Sequence, residues 1–133
     1  MHGHLHHISI TCKNINDTVY FYKNLGFSEI KAYRDDECII LHLSDSNSFI
    51  IELFNYIKSN HTSHINEKKH FTTEIHGITH FAFIVSNINA VLHTLQNKGI
   101  ECGKITVARI DSYRYFFTYD PDGNAIEIIE EIK

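Results

Sequence analysis

A chain of 133 residues that is 43% hydrophobic and 21% charged has the balance of a globular protein. It has room for one domain, or for two small halves sharing a core. Its formal net charge of −4 makes it a poor non-specific ligand for phosphate backbones, so no nucleic-acid partner is expected. The longest uninterrupted apolar run is Phe81 to Val85, far short of the roughly 20 residues that a membrane span needs. The N-terminus lacks the charged-then-apolar pattern of a secretion signal, and no membrane association is expected.

Three cysteines, Cys12, Cys38 and Cys102, are odd in number, widely spaced and without a CxxC pair. They read as buried thiols of a reducing, cytoplasmic compartment. Histidine is in excess, with 11 residues, four of them (His2, His4, His6 and His7) among the first seven. A purification remnant is one reading of that start, and His2 and His4 carry no weight here. His7 differs, because it opens an apolar alternation.

In chain order, the first element is a strand beginning at His7 (His7-Ile-Ser-Ile-Thr-Cys). A helix follows, with Ile15, Val19, Tyr22 and Leu25 on one face. Asn16 or Asp17 is placed to cap its start, and Gly26 stands where a left-handed helix end belongs. Strand-like runs then cover about 27–34, 37–44 and 48–55. The pattern begins again at His80-Phe-Ala-Phe-Ile-Val, with a helix face of Ile88, Val91, Leu92 and Leu95. Asn87 or Asn89 caps this helix, and Gly99 ends it. From His7 to Gly26 is 19 residues, and from His80 to Gly99 is the same. Strand-like runs return over about 100–107, 113–119 and 125–131, the last two joined by the turn Asp120-Pro-Asp-Gly123.

The chain is therefore two copies of strand–helix–strand–strand–strand, about 5–56 and about 77–133. The polar stretch between them, about 57–76, reads as a linker or flap. One such sheet with one helix leaves a face uncovered, and two modules pairing their sheets would share a concave surface suited to a small molecule.

Strand alternation places His7, Ser9 and Thr11 on one face, and His80, Ala82 and Ile84 on the corresponding face of the second copy. Glu52 interrupts the apolar run Phe49–Phe54, and Glu127 interrupts Ala125–Ile129. A charge in such a run is costly unless it is paired or metal-bound. His7 precedes Glu52 by 45 residues and His80 precedes Glu127 by 47, so each half supplies one imidazole and one carboxylate from corresponding strands. Taken singly, each His reads as a packed strand histidine, and each Glu as a buried ion pair or lip carboxylate. The repeat favours ligation. Two imidazoles and two carboxylates suit a divalent ion such as Ni, Co, Zn, Mn or Fe, with positions left open for water or substrate.

The segments His7-Ile-Ser-Ile-Thr, Phe21-Tyr-Lys-Asn-Leu-Gly-Phe27, Ile51-Glu-Leu53, Gly77-Ile-Thr-His80 and Asp120-Pro-Asp-Gly-Asn-Ala-Ile-Glu127 resemble the vicinal oxygen chelate superfamily. That superfamily includes glyoxalase I, methylmalonyl-CoA epimerase, extradiol dioxygenases, and fosfomycin and bleomycin resistance proteins. The resemblance covers nearly the whole chain. It implies an α+β fold of paired βαβββ modules forming a concave, half-barrel mixed sheet, in one glyoxalase-like domain spanning 1–133. It places metal ligands at His7, Glu52, His80 and Glu127, a set that looks like glyoxalase I.

The activity implied is that of a metal-dependent lyase or isomerase acting on a small oxygen-chelating substrate through an enediolate-type intermediate. Glu127 would serve both as ligand and as the catalytic base. A homodimer is implied, with the four ligands drawn from one chain or from two. Two alternatives are a non-catalytic small-molecule binding or resistance protein on the same fold and a ferrous ring-cleaving dioxygenase. Glyoxalase I proteins usually carry Arg four residues after the first ligand and Asn four residues after the second. Here those positions are Thr11 and Tyr56, with Asn55 one place earlier, so the glutathione grip is incomplete.

Elsewhere the expectations are bland. Arg34, Arg109 and Arg114 read as surface charge more readily than as an anion grip. Tyr113, Tyr115 and Tyr119 either line the pocket or pack. His61, His64, His70 and His76, together with Glu130 and Glu131, are expected to face solvent. Cys38 and Cys102 read as packing residues, since no His is visibly paired with either.

Overall fold

The computed structural model describes residues 3–58, 72–74, 76–110 and 112–133. The chain divides into two compact units, Met1–His64 and Ile65–Lys133. The first contains β1 (His7–Thr11), α1 (Ile15–Lys23), β2 (Ser28–Arg34), β3 (Cys38–Ser44) and β4 (Ile50–Tyr56). The second contains β5 (Phe81–Ile84), α2 (Ile88–Asn97), β6 (Thr106–Val107), β7 (Tyr113–Tyr119) and β8 (Ala125–Glu131). Each is a mixed four-stranded sheet, ordered β1-β4-β3-β2 and β5-β8-β7-β6. In each, the first and last strands run parallel across the helix connection and the remaining pairs run antiparallel. The fold is α+β. Most of the polar stretch expected to link the modules, with His61, His64 and His70, lies outside the described residues, as does His2; His76 is exposed.

The two helices end alike. Past α1, Phe27 N–H reaches back to the Tyr22 carbonyl at 3.1 Å; past α2, Ile100 N–H reaches the Leu95 carbonyl at 3.0 Å. Both bonds wrap around a glycine in the left-handed region, Gly26 at φ 94° and Gly99 at φ 74°, which only a residue without Cβ adopts without strain. The starts depart in part from expectation. Asn14, rather than Asn16 or Asp17, caps α1 and accepts from the N–H groups of both those residues; Asn87 caps α2 as expected. The cap must sit before the first helical residue with an extended backbone, and Asn14 does so at φ −135°.

One face of each sheet is covered by its own helix. In the first unit Leu43, Ile51 and Leu53 are fully buried, with Thr18 and Tyr22 of α1. In the second, Phe116, Thr118, Ile126 and Ile128 are buried with Ile88 and Leu95 of α2. Alternation therefore turns Glu52 and Glu127 toward the opposite face in each unit.

The outermost strands are less regular than the rest. All seven residues of β2 are exposed, and its pairing with β3 is broken by a bulge between Glu29 and Lys31. The strand expected over about 100–107 shrinks to β6, two residues, plus an isolated bridge from Cys102 to Thr118. The alternation changes phase at Gly103–Lys104: Ile100 and Cys102 have one parity, Ile105 and Val107 the other.

The fully buried Phe116 closes the second unit's helix-facing layer. Phe116→Ala should cost about 3–5 kcal/mol, read as a lowered urea midpoint with the sheet signal lost cooperatively.

Candidate metal centre

The site residues can be built up from strand register. In the first unit Ser9, Glu52 and His42 stand side by side across β1, β4 and β3. His7 lies two residues before Ser9 on the same face. Its Nε2 is 3.5 Å from Glu52 Oε1, and His42 Nε2 is 2.7 Å from Glu52 Oε2. The His7 and His42 rings lie 5.7 Å apart, and His6 Nδ1 meets His7 Nδ1 at 2.8 Å. The Glu52 carboxyl is held below its usual range, chiefly by the hydrogen bond from His42. The Ser9 hydroxyl and His7 add to this, while burial pulls the other way.

The second unit repeats the plan. Ala82, Glu127 and Phe117 stand side by side across β5, β8 and β7. His80, just ahead of β5, brings Nε2 to 3.3 Å from Glu127 Oε2. Its Nδ1 meets Thr79 Oγ1 at 2.8 Å, which leaves Nε2 facing the carboxylate. The Phe117 ring meets His80 edge-on at 5.2 Å, and Tyr115 meets Phe117 at 5.6 Å. By register Tyr113, Tyr115 and Tyr119 share Glu127's face, which favours the lining role over core packing.

Each predicted His is thus brought to its predicted Glu. The separations suit two ligands of one ion, since groups each about 2.0–2.2 Å from a shared metal stand about 3 Å or slightly more apart. The second ring nitrogens of His7 and His80 are already engaged, as is usual for ligating histidines. Among the described residues, no group of three or more His, Cys, Asp or Glu side chains is arranged to hold a metal by itself.

The sequence reading missed His42. Its signal was available: His42 interrupts the apolar run Ile39–Leu43 as Glu52 interrupts the next strand. Only the hairpin register puts the two side by side.

The described chain belongs to a known family. A model of the glyoxalase/bleomycin resistance protein/dioxygenase superfamily matches residues 4–128. The chain is a member of that superfamily. It is similar to the uncharacterized protein YwkD of Bacillus subtilis (strain 168), 31% identical over 130 residues and 96% of each chain. Among solved structures it is similar to a glyoxalase family protein from Bacillus cereus, with a TM-score of 0.81, 16% identity, and 97% of this chain and 94% of that one covered. It is also similar to the fosfomycin resistance protein FosX from Listeria monocytogenes, with a TM-score of 0.73, 17% identity and coverage of 98% and 94%. At those identities the likeness shows the fold alone.

The remaining candidates of this superfamily member take no part in the His–Glu pairs. Asn55, considered for a glutathione grip, has the parity of the helix-facing side, and its Nδ2 donates to the Cys12 carbonyl at 3.1 Å. Thr11 is exposed on Glu52's face, while Tyr56 stacks on Phe54 at 6.1 Å. Burial pushes the thiols of Cys38 and Cys102 up, against a nucleophilic role. Arg34 and Arg109 are exposed.

Glu130 and Arg114 correct the expectation of solvent-facing charge. Glu130 Oε2 accepts from Ile88 N–H at 2.8 Å and pairs with Arg114 Nη2 at 3.2 Å. Glu130 thus helps cap α2, one half-period out of phase with Glu127. The backbone bond from Ile88 leads in holding its carboxyl below the usual range. A depressed carboxyl contributes stability above its unfolded value of about 4.3 and loses it as pH falls through the folded value. Glu130→Gln should therefore lower the urea midpoint at pH 7. Its deficit against the wild type should narrow progressively below about pH 4.

Proposed function

We propose that this chain is a metal-dependent lyase or isomerase of glyoxalase I type, with His7, Glu52, His80 and Glu127 together holding one divalent ion. In this reading the two units act as one glyoxalase-like domain over 1–133, in a cytoplasmic homodimer that takes a small substrate bearing neighbouring oxygens. The observation that carries it is the repeated pairing of imidazole Nε2 with carboxylate oxygen at matching positions of the two sheets, 3.5 and 3.3 Å apart. Superfamily members commonly use a divalent metal, bind small molecules and form dimers. Cys12, Cys38 and Cys102 are thiols rather than disulfides, which accords with a reducing compartment. Among the described residues no helix is long and apolar enough to cross a membrane.

A divalent ion held by His7, Glu52, His80 and Glu127 would supply Lewis acidity toward the substrate's neighbouring oxygens. The remaining work falls to side chains. Glu127 takes the proton from the carbon next to the substrate carbonyl and returns it to the neighbouring carbon. His80, anchored through Nδ1 to Thr79, keeps its Nε2 toward that carboxylate. The rings of Phe117 and Tyr115 on the same face restrict water at the Glu127 side. In the first unit, Thr11 offers only a hydroxyl where glyoxalase I proteins carry a guanidinium. The substrate's distal group is therefore held differently from glutathione, and 2-oxoaldehyde adducts of other thiols are the first substrates to screen.

Elemental analysis of protein lacking His2 and His4 should find about one divalent metal per four-ligand set, lost in His80→Ala. Equal metal in wild type and variant would overturn the ligand set. With a turning-over adduct, Glu127→Gln should abolish solvent-deuterium incorporation into product while metal content is kept. Incorporation at the wild-type rate would overturn the base assignment.

A further inference from the structure

The two units repeat each other around the carboxylates except at two register positions: Ser9 on β1 stands opposite Glu52 where Ala82 on β5 stands opposite Glu127, and the neighbours on β3 and β7 differ as well. On β3, His42 stands opposite Glu52; on β7, the residue opposite Glu127 is Phe117. Glu52 thus has its Oε2 2.7 Å from His42 and its Oε1 3.5 Å from His7, with the Ser9 hydroxyl as a further hydrogen-bond donor to the carboxylate. Glu127 has His80 as its ion-pair partner among the described residues, and the neighbouring strand offers it the apolar ring of Phe117.

The His42 contact is short and well within hydrogen-bond range, whereas the His7 contact is too long for a strong one. A carboxylate with one oxygen committed to an imidazole N–H presents the other in a fixed direction. Here His42 commits Oε2, and Oε1 is the oxygen that faces His7. Both His42 and Glu52 are part-buried, with side-chain exposures of 18% and 17%, so water competes weakly for this bond.

We propose that His42 is a positioning residue that fixes Glu52 as a one-oxygen metal ligand, leaving Glu127 as the carboxylate able to turn and carry a proton. This rests on the metal-centre reading above. It accounts for unlike roles of two carboxylates in like positions: Glu52 is held by the donors His42 and Ser9, and Glu127 stands between the side chains of Phe117 and Ala82, which have no hydrogen to donate.

The test is Co²⁺ titration of the full chain carrying His2→Ala and His4→Ala, followed by visible absorption and by competition with a chelator. Four proteins are compared: this background and its His42→Phe, His42→Gln and His80→Ala variants. Far-UV circular dichroism and urea midpoints are recorded for each. Phe copies the second unit's own solution, and Gln keeps an N–H donor.

The expected result is Co²⁺ affinity about 10–100-fold weaker in His42→Phe, with an altered Co²⁺ spectrum. Affinity and spectrum should be largely restored in His42→Gln, and binding lost in His80→Ala. A loss of packing alone would not be rescued by Gln, whose shape differs from the imidazole. Wild-type affinity and spectrum in His42→Phe, with binding lost in His80→Ala, would overturn the role of His42 and leave the metal centre standing. Binding abolished by both His42 variants but kept in His80→Ala would overturn both, making His42 itself a ligand of a site confined to the first unit. No binding by the background protein would overturn the metal centre and this role with it.

Discussion

A carboxylate in the middle of an apolar strand must be answered by a donor, because its charge cannot be left desolvated. Glu52 lies between the fully buried Ile51 and Leu53, and Glu127 between the fully buried Ile126 and Ile128. Those four apolar residues fix the strands' facing, since a slip of one position would drive each carboxylate under its helix. With the facing fixed, the register of the parallel neighbour decides which side chains meet the carboxylate. His7 is delivered by that register, and His80 stands one residue ahead of the paired stretch that begins at Phe81. Helix packing on one face is thus what assembles polar chemistry on the other.

The repeat is closest where backbone geometry rules and loosest where side chains do. Both helices start at an asparagine and finish with the same backward bond around a left-handed glycine. The residue three beyond each site carboxylate ties the strand to the segment that begins the helix. In the first unit this is Asn55, through the Cys12 carbonyl; in the second it is Glu130, through Ile88 N–H. An amide donates and a carboxylate accepts, so the same post is filled by opposite hydrogen-bond polarity. His42 and Phe117 show the same freedom on the site face.

What the sequence reveals follows from period and punctuation. The two-copy order, both helix ends and both His/Glu pairs show up as alternation, glycine spacing and apolar runs broken by a charge. Features that need cross-strand register stay hidden: His42 is ten residues from Glu52 and gains its meaning only from the hairpin alignment. Glu130 sits beside Glu131 at a chain end where composition suggests solvent, yet parity turns it to the helix. The Asn14 cap lies among Asn14, Asn16 and Asp17, all competent in type, and backbone angles choose between them. The stretch 100–107 alternates but changes phase at Gly103–Lys104, and its pairing is a two-residue strand and one isolated bridge.

The outer strand β2 has a consequence for how the protein behaves in a crowded solution. It is the last strand in the first sheet's row, and among the described residues its outer side pairs with no strand, a template on which another extended chain could align. Ser28–Arg34 spoils that template: Glu29, Lys31 and Arg34 place charge along it, and the bulge breaks its hydrogen-bond repeat. With Ile30 and Tyr33 each more than half exposed on the same strand, those three charges and one irregularity act as gatekeepers against fibrillar stacking.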